Sequence, residues 1–144
     1  MTDKSFKLQQ VLVYRGEVEK VCKQEFAAAK QGLEEAHDEL LREEERVNEL
    51  THEFCNRHQE LDCIDEMRMY SDFFARKREE IKNQKELVEQ LDRVMNDRRE
   101  DLLDATKDKK VLESLKQKKF EAFRQEMRQK EINFLDEISI QKKA

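Results

Sequence analysis

The residues here best suited to bind a metal or attack a carbonyl are Cys22, His52, Cys55, His58 and Cys63. Their number and spacing argue against both chemistries. Three cysteines cannot all pair, and no signal-peptide pattern precedes them, so a disulfide framework is not expected. His52 and His58 lie six residues apart, which on a helix turns their side chains about 120° from one another. With Cys55 and Cys63 they could close a tetrahedral zinc site only by breaking the helix. A catalytic cysteine or serine would need an orienting base and an oxyanion hole, and nothing in the pattern encloses one. The sequence has no phosphate-binding loop and no apolar run of membrane-spanning length. No catalytic residue, metal ligand or cofactor is expected, and the chain reads as a non-enzyme.

The elements that carry these residues explain why. The chain has 144 residues with no Pro, no Trp and two Gly, so loops have almost no material to form from. Charged residues make up 44% and mean hydropathy is -1.05, which leaves long helix and disorder as the competing readings. Periodicity separates them. Alternating steps of four and three from Leu8 reach Leu12, Arg15, Glu19, Cys22, Phe26, Ala29, Leu33 and Ala36. The same steps continue to Leu40, Glu43, Val47, Leu50, Phe54, Arg57, Leu61 and Ile64. Thirteen of these seventeen positions are apolar, a seam at coiled-coil spacing. Val11, Tyr14, Val18 and Val21 widen it, so this end is expected to touch more than one neighbour.

Phase is lost between Ile64 and Tyr70. A second seam then runs through Phe74, Lys77, Ile81, Gln84, Val88, Leu91, Met95, Arg98, Leu102, Ala105, Lys109 and Leu112. Two successive steps of four, through Lys116 to Phe120, make a stutter before the seam resumes at Phe123, Met127, Lys130, Phe134 and Ile138. The expected fold is all-α: two long helices in one antiparallel coiled-coil hairpin spanning 1–144. The expected bounds are a helix at about 4–64, a bend at about 65–70 and a helix at about 71–141, with Ser71 and Asp72 as N-caps. The second helix should overhang the first. So thin a core predicts marginal stability and ordering by partners.

Charge is uneven. Residues 34–66 hold thirteen acidic and three basic side chains, whereas residues 107–144 hold eleven basic and seven acidic. The two ends of the hairpin should therefore attract different partners. A pI near 5.4, with Glu scattered among the C-terminal Lys, disfavours nucleic acid.

Four blocks carry a resemblance to a known family. They are Phe6-Lys7-Leu8-Gln9-Gln10-Val11-Leu12 with Tyr14-Arg15, and Asp65-Glu66-Met67-Arg68-Met69-Tyr70 with Phe73 and Phe74. The third is Lys110-Val111-Leu112-Glu113-Ser114-Leu115-Lys116-Gln117-Lys118-Lys119-Phe120, and the fourth Leu135-Asp136-Glu137-Ile138-Ser139-Ile140. In this order they resemble the bacterial flagellar FliJ family over nearly the whole chain. The resemblance implies a soluble component of the flagellar type III export apparatus, cytoplasmic and peripherally associated with the inner face of the membrane at the flagellar base. Members of that family resemble the central stalk of rotary ATPases. The implied partners are the hexameric export ATPase, the export gate membrane protein and export chaperones, with no membrane insertion and a monomeric free state.

By the same resemblance the ATPase-facing residues are Phe6, Leu8, Val11, Leu12 and Arg15, with Leu115, Lys118, Lys119, Phe123 and Phe134. Tyr70 and Phe73 are candidates for the gate or chaperone surface. For Leu8, Leu12, Phe123 and Phe134 the competing role is to hold the hairpin shut. Two other functions stay open at this point: the stalk of a virulence-type secretion system, and a generic coiled-coil scaffold or homodimer.

Overall fold

A computed structural model describes residues 5–57, 59 and 63–143. It contains two long helices packed against one another, α1 (Gln9–Arg57) and α2 (Ile64–Lys143), with no strand among the described residues. The expected all-α helical hairpin is the observed fold.

The chain enters α1 through a turn in which Gln9 N donates to Phe6 O at 3.0 Å and Leu12 N to Leu8 O at 2.9 Å. Arg57 lies in the last turn of α1, where a cation meets the negative end of the helix dipole. Asp65 and Glu66 occupy the first turn of α2, and Lys142 and Lys143 its last, the same complement at both ends.

The helix bounds differ from those expected. Residues 65–70, read from the sequence as the bend, are the opening turns of α2. Cys63 O accepts the first bond, from Met67 N at 3.4 Å, so Ser71 and Asp72 are helical positions and not caps. The break in seam phase reflects a change of register on entering α2, not an interruption of the helix. With no Gly or Pro between 57 and 71, and with acids at 65 and 66, nothing there opposes helix. Leu61, Asp62 and His58, which the sequence reading placed in the first helix or at the bend, lie outside the described residues.

The hairpin divides into two compact units. One, here the central unit, is Gln24–Glu100; the other, the terminal unit, is Met1–Lys23 with Asp101–Ala144. In the central unit Glu25 meets Arg98, Ala36 meets Gln84 and Glu43 meets Lys77, so one helix ascends as the other descends. Its core is Leu33, Ala36 and Val88, with Leu40, Leu91 and Met95 packed against it. All six are seam positions.

In the terminal unit Ser5 O accepts a bond from Lys119 Nζ, and Arg15 meets Asp108 at 3.3 Å, again an antiparallel pairing. The stutter passes without a break in α2, and Lys116, Phe120 and Phe123 stay half-buried through it. Since Ser5 sits beside Lys119, α2 from about Phe120 onward extends past every described residue of the first strand of the pair. Those 24 residues to Lys143 span about 36 Å of helix.

Candidate functional site

The hollows formed by the described residues around Leu12, Leu50 and Leu87 are open grooves, unlike an enclosed catalytic cleft. Among the described residues no group of three or more His, Cys, Asp or Glu is placed to hold a metal, and no helix is long and apolar enough to cross a membrane. What the molecule offers is surface, and it differs between the two units.

In the terminal unit the candidate residues fall into three sets. Phe6 and Leu12 are half-buried, while Leu8 and Val11 are exposed. Across from them Leu115 and Lys118 are exposed, and Lys119 reaches the Ser5 carbonyl. Phe123 and Phe134 lie on the overhang: Phe123 is half-buried, but Phe134 is 62% exposed. Arg15 occupies a seam position and is ion-paired with Asp108 at 3.3 Å, which accounts for a cation there without any partner protein. Leu12 and Phe120, with Glu113, Lys116 and Arg124, line an open groove, and Lys116 Nζ stands 5.8 Å from the centre of the Phe120 ring.

The widened stripe of α1 is visible as one apolar flank. Val11 and Val18 each precede a seam residue of α1, and Asp108 and Leu115 each precede one of α2. In an antiparallel pair such positions share a side. Val11, Tyr14 and Val21 on α1 and Val111 and Leu115 on α2 are all exposed there. The opposite side carries Gly16, Lys20, Lys23, Thr106, Lys110 and Glu113 and is more polar, though Val13 and Leu103 are exposed on it. Past the end of the pairing, the α2 seam itself comes to the surface, with Met127 and Phe134 both exposed.

In the central unit the start of α2 packs on the end of α1 through aromatic rings. Phe54 lies 5.2 Å from Tyr70 and 6.0 Å from Phe74, and Phe73 lies 6.3 Å from Phe74. Lys77 Nζ sits 5.6 Å from the Phe73 ring centre. Arg57 Nη1 is 3.3 Å from Glu53 and donates to the Tyr70 hydroxyl at 3.4 Å. Tyr70 and Phe74 therefore close the hairpin, and Tyr70 and Phe73 line an open hollow with Leu50, Arg57, Glu66 and Met69. Ile64, Met67 and Met69 are exposed around it.

Apart from Arg15, sequence reasoning did not single out the charged residues inside the seam. Glu19 is buried; Lys23 bonds it at 3.0 Å and Lys109 approaches at 3.5 Å. The bond from Lys23 holds its carboxyl below the ordinary range, with Lys109 adding to the effect against the cost of burial. Glu43 and Lys77 meet at 2.7 Å, with Arg46 and Glu80 each 3.0 Å from one of them. The Lys77 bond lowers the Glu43 pKa, and Glu43 with Glu80 raises that of Lys77. The signal was present in the sequence: the seam of α1 departs from apolar at Glu19 and Glu43, and that of α2 at Lys77 and Lys109.

The comparisons with known proteins agree with this architecture. The family model described as the flagellar FliJ protein matches residues 4–143. No curated protein and no solved structure matches the chain. A match over all but the outermost residues of a chain folded as this hairpin shows its membership: the chain belongs to the flagellar FliJ family.

Proposed function

We propose that this flagellar export protein is a non-enzymatic central stalk, which binds the hexameric export ATPase through its terminal unit and links it to the export gate and export chaperones. Membership of the family supports an export protein of stalk type. The observation that carries the finer reading is the overhang of α2, a coiled-coil seam that continues beyond its partner helix with Met127 and Phe134 exposed. An apolar stripe interrupted only by Lys130, with Arg124 beside it, is suited to a second protein's surface and poorly suited to water.

The remaining surfaces divide the partners. Phe6, Leu8, Val11, Leu12 and Arg15 with Leu115, Lys118, Lys119, Phe123 and Phe134 face the ring. The exposed flank of Val11, Tyr14 and Val21 gives this end a second contact area. Tyr70 and Phe73, beside the exposed Met69, form the surface for the gate or a chaperone; methionines adapt to varied partners. The free chain is a monomer, and it reaches the flagellar base from the cytoplasm by binding proteins rather than by entering the membrane. Its mechanism is coupling: no bond is made or broken by its own residues.

The test is the turnover of the purified cognate export ATPase with and without this protein and its Phe134→Ser and Lys118→Glu variants. The proposal predicts stimulation by the wild type and a rise of at least about fivefold in the concentration needed when both substitutions are present. Both side chains are exposed, so helicity and melting should stay unchanged. Folded monomer that neither binds nor stimulates the ATPase would refute the reading.

A further inference from the structure

The seam charges do more than survive burial. Replacing a buried ion pair by apolar side chains is often neutral or stabilising, so stability alone does not explain them. They are also sorted by helix. The least exposed charged seam residues of α1, Glu19 and Glu43, are both acids, with side chains 9% and 13% exposed. Those of α2, Lys77 and Lys109, are both bases, at 16% and 31%. The more exposed seam arginines, Arg15 and Arg98, take their carboxylates from the other helix as well, Asp108 and Glu25.

We propose that the crossed pairs Glu19–Lys109 and Glu43–Lys77 are the pairing code of this chain: they admit α1 against α2 in one antiparallel register and bar two copies from associating through like helices. A parallel pairing of two α1 helices sets Glu19 against Glu19 and Glu43 against Glu43. A pairing of two α2 helices sets Lys77 and Lys109 against themselves. Inverted or slid pairings of like helices bring like charges together, or leave a buried seam charge among apolar residues with no counter-ion. A slip of one heptad between α1 and α2 carries Glu43 about 10 Å from Lys77. Gln84 adds a third register mark, since its Nε2 reaches the Ala36 carbonyl at 3.0 Å past a side chain small enough to let it by.

Each unit holds one of the two crossed pairs, so each fixes its own register. An exchange of helices between two copies would keep every pair, but the covalent link gives α1 an effective concentration of α2 near the millimolar range and favours the monomer. The code acts on the seam alone, and this inference does not depend on which protein binds the apolar flank or the overhang.

Four full-length variants and one mixture test it, by circular dichroism melting and sedimentation equilibrium. Glu19→Lys with Glu43→Lys sets cation against cation at both crossed pairs, and melting should fall by about 10 °C or more. Adding Lys77→Glu and Lys109→Glu should restore a monomer melting within about 3 °C of wild type. The two half-exchanged chains, Glu19→Lys with Glu43→Lys and Lys77→Glu with Lys109→Glu, should form a one-to-one heterodimer when mixed. The chain carrying Glu19→Leu, Glu43→Leu, Lys77→Leu and Lys109→Leu should melt higher than wild type yet gain mass as its concentration rises. A fourfold exchange that fails to restore melting, a mixture with no heterodimer, or a four-leucine chain that stays monomeric over about a hundredfold in concentration would each overturn the code.

Discussion

In the central unit Leu33, Ala36 and Val88 are all less than a tenth exposed, and Leu40, Leu91 and Met95 close around them. In the terminal unit Ala105 is the only apolar residue so buried among those described, and Glu19 joins it. The exposed large apolar residues are distributed the other way: thirteen fall in the terminal unit and six in the central one. One heptad pattern runs through both units, so the pattern itself cannot be the cause. The difference arises because α2 outruns α1, and because α1 near its start carries valines and a tyrosine beside the seam where the central unit carries glutamates and arginines. The central unit holds the hairpin together, and the terminal unit spends its apolar residues on display.

The largest effect should come from breaking the central core. Val88→Asp places a carboxylate against Leu33 and Ala36 without a cation and should cost about 3 kcal/mol or more, removing the cooperative melting transition. A charge placed on the overhang, as in Phe134→Asp, should shift the melting temperature by less than about 2 °C.

Acid should act through the seam pairs. Lys77 holds the Glu43 carboxyl below its ordinary value of 4.5, so the pair's contribution is complete above that pH. It is lost as pH falls through the lower value of the folded state. Melting temperature should be level from neutral pH to about 5 and then decline, and in Lys77→Met the neutral value should be lower and the acid decline shallower. Melting curves taken at several pH values would show this.

The smallest effects lie at the glycines. A Cβ at Gly32 would meet nothing within 4 Å, and one at Gly16 would only touch Lys109 Cε at 4.0 Å. Gly32→Ala and Gly16→Ala should each stabilise the helix by about 0.5–1 kcal/mol, read from denaturant unfolding. Because the central unit holds the core, Gly32→Ala should raise the melting temperature by at least as much as Gly16→Ala.

How much of this was legible in the sequence depended on whether a feature is periodic. From Leu12 to Phe54 the seam positions of α1 are half-buried or buried without exception, and those of α2 from Phe74 to Leu112 likewise apart from Arg98. The overhang also followed from the unequal helices. The start of α2 did not, because Cys63 is not a preferred cap and the loss of seam phase after Ile64 imitates a bend. The seam charges were visible as departures from pattern, but their pairing required the register, which no single helix contains. Arg15 was read as a charge seeking a partner protein, and its partner Asp108 lies 93 residues away in sequence.

The comparison between the two units is tested most directly by amide hydrogen exchange of the free chain and of the chain bound to its cognate export ATPase. In the free chain, amides of residues 120–143 should exchange fastest among the helical ones, because a helix of that length without a partner is marginal. Those around Leu33, Ala36 and Val88 should exchange slowest. Binding should protect the overhang and residues 9–21 and leave the central unit unchanged. Protection confined to the central unit, with the overhang exchanging as before, would contradict the account.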